Sequence, residues 1–326
     1  MHAPGFWQRD GVLPRLLAPL ADRVAAVTAQ RLAATPGFNP GCPVLCIGNL
    51  TVGGQGKTPT VLAVAERLQA AGRQVFCLTR GYGGALPGPT WVDPAQHTAA
   101  EVGDEPLLLA ALAPTIMAKD RALGAKAARA AGAQIIVMDD GFQNPAVCKS
   151  LSLIVVDGAT GFGNGRVLPA GPLREPIAAG LARAQGVVCV GPDRVGLEKL
   201  LPPGLPLLSA TLQPTPEDAA RWRGQKLVAF AGIGRPQKFF ETLEALGAEL
   251  VGTRAFADHR PYRATDLAAL RQQAAREGAT LITTSKDWAR LPFTDRAGIA
   301  TLPVRLVFED GAVLDGLLAP YLEPSL

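Results

Sequence analysis

The stretch Thr51-Val-Gly-Gly-Gln-Gly-Lys-Thr58 is the most informative part of this sequence. It stands between the apolar run Val44–Gly48, which has the composition of a buried strand, and a helical stretch opened by Pro59. A strand, a glycine-rich turn and a helix N-terminus in this order are typical of a phosphate-binding loop. Glycines let backbone N–H groups face phosphate oxygens, Lys57 adds a positive charge, and the Thr58 hydroxyl is a ligand for Mg²⁺. The sequence therefore predicts that this loop binds a nucleoside triphosphate.

The loop departs from the usual pattern at its first position, where this chain has Thr51 in place of glycine. Gly53 and Gly54 partly offset that difference. The alternative is a glycine-rich turn in which Lys and Thr stand together by chance. The nucleotide-binding residues that the loop predicts are Thr51, Val52, Gly53, Gly54, Gln55, Gly56, Lys57 and Thr58.

Composition narrows the class of protein. The chain has 326 residues, 48% of them hydrophobic and 18% charged, which excludes a disordered chain and allows one large or two ordinary α/β domains. The net charge of +4 is small and the arginines are dispersed, so nucleic acid is not an expected partner. Five cysteines without C-x-x-C spacing indicate reduced, structural thiols and a cytoplasmic location.

The N-terminal region has an amphipathic pattern. No stretch approaches the roughly 18–20 uninterrupted apolar residues of a membrane span, and no secretory signal is present, so a spanning or exported protein is not expected. A helical wheel over residues 13–27 nevertheless gathers apolar side chains in one sector, namely Leu13, Leu16, Leu17, Leu20, Val24 and Val27. Two alternatives stay open, a helix on a membrane surface and a helix packed on its own domain. Pro19 is expected to kink either one.

Strand-like and helical stretches alternate along most of the chain. The predicted strands of the first region are Val44–Gly48, Gln74–Thr79, Thr115–Ala118, Ile135–Asp139, Leu151–Asp157 and Gly186–Val190. A second region has the predicted strands Lys226–Ala231, Leu250–Phe256 and Thr280–Thr284. Such alternation predicts an α/β fold, here a P-loop NTPase-like domain with a mainly parallel sheet and a second, smaller α/β domain.

The predicted domain boundaries follow composition changes. They give an N-terminal amphipathic region over residues 1–40, a P-loop kinase core over 41–205, a connector over 206–222, a second α/β domain over 223–302 and a return strand with the C-terminal tail over 303–326. We expect Val304–Phe308 to pair with Leu207–Leu212 as a two-stranded connector. Helices are expected to begin near Pro59 and near Pro106.

Two pairs of carboxylates are candidates for chemistry. Asp139 and Asp140 end an apolar strand, which is the form of the acidic strand that holds Mg²⁺ or its waters near a phosphate loop. Alternatively, Asp139 or Asp140 has only a structural role, as an aspartate at the end of a strand that caps the next turn. Asp104 and Glu105 precede a helix, where they are either N-cap residues or a base with metal support, because transfer to an alcohol needs a group that accepts the hydroxyl proton.

Arginines and one histidine complete the candidates. Arg166 and Arg174 lie in a long, proline-stiffened stretch, and Arg80 follows a predicted strand; each is either a ligand of an anionic group or a solvated loop residue. His259 follows a predicted strand of the second domain and is placed to face a cleft between domains, although a loop histidine is usually solvated.

Together these motifs resemble the tetraacyldisaccharide 4'-kinase family, the lipid A 4'-kinases of Gram-negative bacteria. The motifs that carry the resemblance occur in the order of that family, and they are Gly48–Pro59, Thr79–Gly83, Gly103–Pro106, Asp139–Asn144, Gly163–Pro176 and Asp258–His259. The phosphate loop is widely shared, whereas Asp139–Asn144 and Gly163–Pro176 are specific.

The resemblance implies a phosphotransferase with an alcohol acceptor. It implies ATP and Mg²⁺ as cofactors, transfer of the γ-phosphate to the 4'-hydroxyl of a tetraacyldisaccharide 1-phosphate, and a peripheral location at the cytoplasmic face of the inner membrane. It also favours a membrane-contacting N-terminal helix and two α/β domains that close over ATP.

The resemblance further implies roles for individual residues. Asp104 corresponds to the catalytic base with His259 as its partner across the cleft, and Lys57 acts on the phosphates. The residues implied for Mg²⁺ are Thr58, Glu105, Asp139 and Asp140. The residues predicted for the acceptor are Arg80, Asn144, Arg166 and Arg174.

Two other functions are open from the residues alone. One is a P-loop nucleotidase with a regulatory or metallochaperone role, whose second domain binds protein. Thr284-Ser-Lys-Asp287 approaches the guanine-binding pattern [NT]-K-x-D, but Lys286 and Asp287 are adjacent, so the spacing does not fit. The other is a non-catalytic module that binds membranes through its N-terminal helix.

Overall fold

Two β-sheets organise the chain, which we describe from a computed structural model over residues 4–34, 36–258 and 260–322. In these ranges, strands β1 to β13 are, in order, Val44–Gly48, Val75–Thr79, Thr90–Trp91, Thr115–Met117, Ile135–Asp139, Leu151–Asp157, Gly186–Val190, Leu207–Pro214, Lys226–Ala231, Glu249–Ala255, Thr280–Thr284, Ile299–Leu302 and Val304–Phe308. Helices α1 to α12 are Val12–Leu16, Ala18–Ala34, Lys57–Ala70, Ala99–Val102, Asp104–Ala110, Arg121–Ala130, Ile177–Leu181, Pro216–Trp222, Pro236–Ala245, Ala264–Glu277, Ser285–Arg290 and Gly311–Leu322. Short 3₁₀ helices cover Gly5–Gln8, Leu197–Leu200 and Phe293–Asp295.

The large sheet has nine strands in the order β13-β8-β7-β6-β1-β5-β2-β4-β3. Its inner strands run parallel, and the edge strands β13 and β3 are antiparallel to their neighbours. Strands such as β1 and β5 are buried at every residue because helices cover both faces of the sheet. The predicted α/β fold with a mainly parallel sheet is confirmed.

The small sheet has four parallel strands in the order β10-β9-β11-β12. It has cores of its own on its two faces, one around Phe240 and Ile282 and the other around Phe230 and Leu267. The predicted second, smaller α/β unit is therefore present. We call the two parts of the molecule the large-sheet unit and the small-sheet unit.

The register of β1 positions the candidate site. Strand β1 pairs with β5 in parallel, and Ile47 lies beside Asp139. The loop that follows β1 and the carboxylates that end β5 therefore lie at the same edge of the sheet. This edge is formed by the carboxyl ends of the parallel strands, where ligands of α/β sheets bind.

Three helix boundaries differ from the sequence predictions. Helix α3 begins at Lys57 rather than near Pro59, and α5 begins at Asp104 rather than near Pro106. Both prolines lie in the first turn of their helix, where the absent N–H has no intrahelical acceptor. The N-terminal region forms two helices, α1 and α2, and Pro19 lies in the first turn of α2 instead of kinking one long helix.

The expected pairing between the last strand and the strand after residue 206 is present. Strand β13 runs antiparallel to β8, with Leu306 beside Leu212. However, β8 also pairs in parallel with β7, with Val187 beside Leu207. The two strands therefore extend the large sheet instead of forming a separate two-stranded ribbon.

Helix α2 has two different faces. Leu17, Ala21 and Ala25 contact the core of the large-sheet unit around Leu50 and Phe142, so this part of the apolar sector is packed on its own domain. The other predicted apolar residues are exposed, and they are Leu13, Leu16, Leu20, Val24 and Val27. No helix in the described ranges combines the length and apolar character that crossing a bilayer requires.

Candidate active site

Glycines and long-range hydrogen bonds shape the phosphate loop. Gly53 and Gly56 adopt φ values of 109° and 90°, a region that favours glycine because it has no Cβ. The Val52 N–H donates to the Pro172 carbonyl at 2.9 Å, and the Leu50 carbonyl accepts from the Arg174 N–H at 2.7 Å. The long loop predicted from its prolines thus runs beside the phosphate loop and fixes its course.

Lys57 opens α3 directly behind the left-handed residue Gly56. Its Nζ lies 3.8 Å from Oδ1 of Asp140, and the same oxygen accepts from Arg174 Nη1 at 2.9 Å. Burial opposes ionisation of Asp140, but Lys57 and Arg174 outweigh it and hold the pKa of this carboxyl below its usual value. Asp140 has a φ of 50°, which asparagine and aspartate tolerate better than most residues.

Asp139 lies in a different environment from its neighbour. Its side chain is fully buried, and both carboxylate oxygens lack a hydrogen-bond partner among the described residues. Burial and the nearby Glu105 raise its pKa to about 8, although Lys57 favours the charged form. Buried polar atoms are normally satisfied, so two orphaned oxygens beside a phosphate loop fit a hard cation or its waters. No group of three or more His, Cys, Asp or Glu side chains in the described ranges is arranged to hold a metal by itself.

Asp104 and Glu105 lie at the start of α5 and face the small-sheet unit. Asp104 Oδ2 accepts from Arg290 Nε at 2.7 Å, and Lys286 Nζ lies 3.3 Å from Glu105 Oε1. Burial disfavours the charge of Lys286, but Glu105 and Asp104 outweigh it and raise its pKa. The predicted base Asp104 and the predicted metal residue Glu105 are therefore ion-paired with α11 across the boundary between the units.

A buried aspartate anchors α11. Asp287 has no exposed surface, and it accepts from the Tyr262 hydroxyl at 2.7 Å and from the Gly232 N–H at 3.1 Å. The Thr284 hydroxyl accepts from the Asp287 N–H at 3.0 Å and caps the helix. The stretch that approached a guanine-binding pattern is therefore a capped helix start, and Lys286 points to Glu105.

The predicted acceptor residues do not share one location. Arg174 contacts Asp140, whereas Arg166 Nε donates to Asp10 Oδ1 at 3.0 Å beside the N-terminal helices. Asn144 Oδ1 accepts from the Ala146 N–H at 2.8 Å within its own turn, and Arg80 is exposed at the end of β2. His259 lies outside the described residues.

A cavity of about 190 Å³ opens beside the phosphate loop. Its walls include the loop residues Thr51–Gln55, the large-sheet segment around Asp157 and Gly161, the small-sheet segments around Arg235 and Asp258, and the N-terminal residues Trp7 and Gln8. Arg235 Nη2 contacts Asp157 Oδ2 at 2.5 Å across the boundary. The cavity is thus continuous with the loop and has both units in its walls.

Sequence reasoning missed the basic residues that meet Asp104 and Glu105. Lys286 and Arg290 lie about 180 residues away from them in sequence. The one local signal for these residues is Thr284-Ser-Lys-Asp287, which contains Lys286 and caps the helix that carries Arg290. Its likeness to a guanine-binding pattern does not point to Asp104 or Glu105. Arg235 and Asp157 were missed for the same reason, because nothing local in the sequence pairs them.

The fold and this site define a P-loop protein of the phosphoryl-transfer class, with a lysine-bearing loop beside an acidic strand end. Comparison with known proteins gives the particular family. Residues 13–322 match the family described as tetraacyldisaccharide-1-P 4'-kinase, LpxK. The chain belongs to the tetraacyldisaccharide 4'-kinase family, whose enzymes act in lipid A biosynthesis. The family, the fold class and the kinase activity expected from the sequence are confirmed.

Individual relatives extend over the whole chain. The tetraacyldisaccharide 4'-kinase of Rhodospirillum centenum is 53% identical, and the alignment covers 99% of this chain and 97% of the relative. That of Rhodospirillum rubrum is 52% identical, with 98% and 97% covered. The crystal structure of LpxK from Aquifex aeolicus in complex with ATP superposes with a TM-score of 0.77 at 25% identity, covering 96% of this chain and 100% of that one.

The two neighbouring aspartates give opposite predictions for stability. Because burial raises the pKa of Asp139, ionisation destabilises the folded protein as the pH rises from about 4 to about 8. We expect Asp139→Asn to raise the free energy of unfolding at pH 8 by about 1–3 kcal/mol, with a gain that shrinks toward pH 4. Chemical denaturation without nucleotide or divalent ions measures this difference.

Asp140→Asn is the matched control, since asparagine also accepts a positive φ. In the wild type, the pKa of the Asp140 carboxyl is lowered by folding. The ionised carboxylate therefore stabilises the fold at a pH above the usual aspartate pKa, and this contribution is lost in acid. Asp140→Asn should therefore lower the free energy of unfolding at pH 8. A loss of stability at pH 8 in both variants would show that Asp139 has a partner in the folded protein.

Proposed function

We propose that this kinase transfers the γ-phosphate of ATP to the 4'-hydroxyl of a tetraacyldisaccharide 1-phosphate. The observation that carries the proposal is the convergence of Lys57, Asp140 and the orphaned Asp139 where β1 and β5 end, with Asp104 in the adjoining cleft. These residues would supply a cation for phosphate, a metal ligand and a base for the reaction.

The phosphate loop is the proposed site of the triphosphate. Residues 51–58 form this loop, the backbone N–H groups of residues 53–56 and the N-terminus of α3 favour phosphate oxygens, and Lys57 neutralises their charge as transfer proceeds. The adjoining cavity provides space for the nucleoside. The Aquifex aeolicus relative was crystallised with ATP, which supports ATP as the donor.

Asp139 and Thr58 are the proposed protein ligands of Mg²⁺ or of its waters, with support from Glu105. The two unpartnered oxygens of Asp139 fit this role, and Mg²⁺ commonly binds to one or two carboxylates together with phosphates of the substrate. When bound, Mg²⁺ supplies positive charge that stabilises the transferring phosphoryl group. Asp140, whose oxygen already contacts Lys57 and Arg174, is proposed to hold these two cations in place.

Asp104 is the proposed general base, with His259 as its partner. Its Oδ1 accepts from the Glu105 N–H at 2.9 Å and its Oδ2 faces Arg290, so the orientation of the carboxylate is fixed. A fixed, ionised carboxylate accepts the proton of the acceptor hydroxyl as the oxygen attacks phosphorus. The acceptor is proposed to contact Arg80, Asn144, Arg166 and Arg174.

The domain boundaries predicted from the sequence are consistent with this division of labour. Residues 41–205 contain the phosphate loop and Asp104, and residues 223–302 contain His259, Lys286 and Arg290. We propose that the reaction takes place in the cleft between these two parts. The ion pairs of α11 with Asp104 and Glu105 support this location.

Activity of single variants tests the assignment. We expect Lys57→Ala and Asp104→Asn each to lower kcat by at least about 10²-fold, because one removes charge stabilisation and the other a base. The assay incubates the purified protein with labelled ATP, Mg²⁺ and a tetraacyldisaccharide 1-phosphate, followed by chromatography of the lipid. Lys126→Ala, which removes an exposed lysine on α6, is the control and should retain full activity. Normal turnover of either site variant would refute its role.

The exposed side of α1 and α2 is the proposed membrane contact, at the cytoplasmic face of the inner membrane. Leu16 and Leu20 are 71% and 56% exposed, although the opposite side of α2 is packed on the core. Arg15 and Arg23 flank them and favour anionic lipid headgroups. A peripheral helix of this kind would bring the cleft to an acceptor whose acyl chains lie in the bilayer.

Vesicle binding tests the membrane contact. We expect the protein to sediment with vesicles that contain anionic phospholipid, and Leu16→Glu with Leu20→Glu to weaken this partition at least about tenfold, because each leucine loses apolar burial. Val307→Glu, on the edge strand β13, replaces a valine that is 43% exposed and should bind like the wild type. Equal partition of all three proteins would contradict the proposal.

A further inference from the structure

We propose that Arg290 is a positioning residue of the kinase reaction, which orients Asp104 from the small-sheet unit. This inference rests on the proposed role of Asp104 as the base. It assigns a function in the reaction to α11, the helix on the far side of the cleft. The contacts of Arg290 join Asp104 to the part of the small-sheet unit that precedes His259.

The contact between Arg290 and Asp104 is short and buried. The Arg290 side chain is 7% exposed and that of Asp104 is 5% exposed, and Nε donates to Oδ2 at 2.7 Å. The other oxygen of Asp104 accepts from the Glu105 N–H. Because each oxygen has a different donor, the plane of the carboxylate is set jointly by α5 and by Arg290.

The guanidinium is itself held firmly on its other side. Arg290 Nη1 donates to the Gly232 carbonyl at 2.7 Å and to Asp287 Oδ1 at 3.0 Å. Asp287 is fully buried and also accepts from the Tyr262 hydroxyl. A planar group with this many fixed contacts has little freedom, so it transmits the position of the small-sheet unit to Asp104.

One donor of the guanidinium lies near Asp258. Arg290 Nη2 is buried and has no hydrogen-bond partner among the described residues, and it lies 3.8 Å from Asp258 Oδ1. Asp258 lines that cavity and directly precedes His259. Arg290 therefore stands between the proposed base and the segment that carries its proposed partner.

Lys286 is a weaker candidate for the same role. Its Nζ is 3.8 Å from Asp104 Oδ2, and its side chain is 25% exposed. Its shorter contact, at 3.3 Å, is with Glu105. An ammonium on a flexible chain neutralises charge without fixing an orientation, whereas a guanidinium offers a rigid set of donors. The geometry thus assigns orientation of Asp104 to Arg290.

A double-mutant cycle separates positioning from general support of the fold. We expect Arg290→Met to lower kcat at least about tenfold and to change KM for ATP less than about twofold, because the phosphate loop is not altered. Arg290→Lys should recover part of kcat, and it also provides a charged variant if Arg290→Met folds poorly. In the Asp104→Asn background, Arg290→Met should cause no further loss, since the group that it positions is already absent.

Arg296→Met is the matched control. Arg296 donates to the Ala289 and Leu291 carbonyls, on either side of Arg290, but has no contact with Asp104. It should lower the thermal midpoint without lowering kcat. A normal kcat in Arg290→Met would overturn the inference. So would an equal loss of kcat when Arg290→Met is introduced into the wild type and into Asp104→Asn. Absence of lipid phosphorylation by the wild type would instead refute the proposed function itself.

Discussion

Charge balance where β1 and β5 end is the constraint on which the rest of the structure depends. The parallel register places the phosphate loop and two aspartates side by side, so cations and carboxylates are brought together in a buried place. Such groups are stable there only when their charges are matched. Asp140 is matched by Lys57 and Arg174, whereas Asp139 is not matched within the described residues. Among the described residues, the Asp139 carboxyl is thus left without a hydrogen-bond partner at the place that we propose for a divalent ion.

The same balance recurs across the boundary between the two units. Asp104 and Glu105 present negative charge from α5, and Lys286 and Arg290 present positive charge from α11. These contacts join the units at the proposed catalytic carboxylate rather than at a distant surface. Any change in the relative position of the units would therefore alter the environment of Asp104, which links architecture directly to chemistry.

Local sequence signals were sufficient for most of the fold. The apolar runs Val44–Gly48 and Ile135–Asp139 are strands at the predicted bounds, because continuous apolar residues between turns fit a doubly covered parallel sheet. Helix starts were less accurate, since proline is tolerated throughout a first turn and does not mark its first residue. The wheel over residues 13–27 groups the packed Leu17 with leucines that are exposed, because a periodicity does not reveal which part of an apolar face a domain covers.

The site was predictable only in part, for a physical reason. Residues near one another in sequence, such as Lys57 with Thr58 or Asp139 with Asp140, form motifs that can be read directly. The pairing of Arg290 with Asp104 depends on how two separately folded sheets pack, and no local pattern encodes it. The length and prolines of the loop around Arg174 predict a functional role, but its contact with the phosphate loop is visible only in the three-dimensional structure.

A crystal structure with Mg²⁺ and a non-hydrolysable ATP analogue would show whether the triphosphate and the ion bind where β1 and β5 end. We expect the triphosphate to accept hydrogen bonds from the N–H groups of residues 53–57, with Lys57 on its terminal phosphates and Mg²⁺ next to Thr58 and Asp139. An analogue bound away from this loop, or an ion bound to the triphosphate with both oxygens of Asp139 still unpartnered, would contradict it.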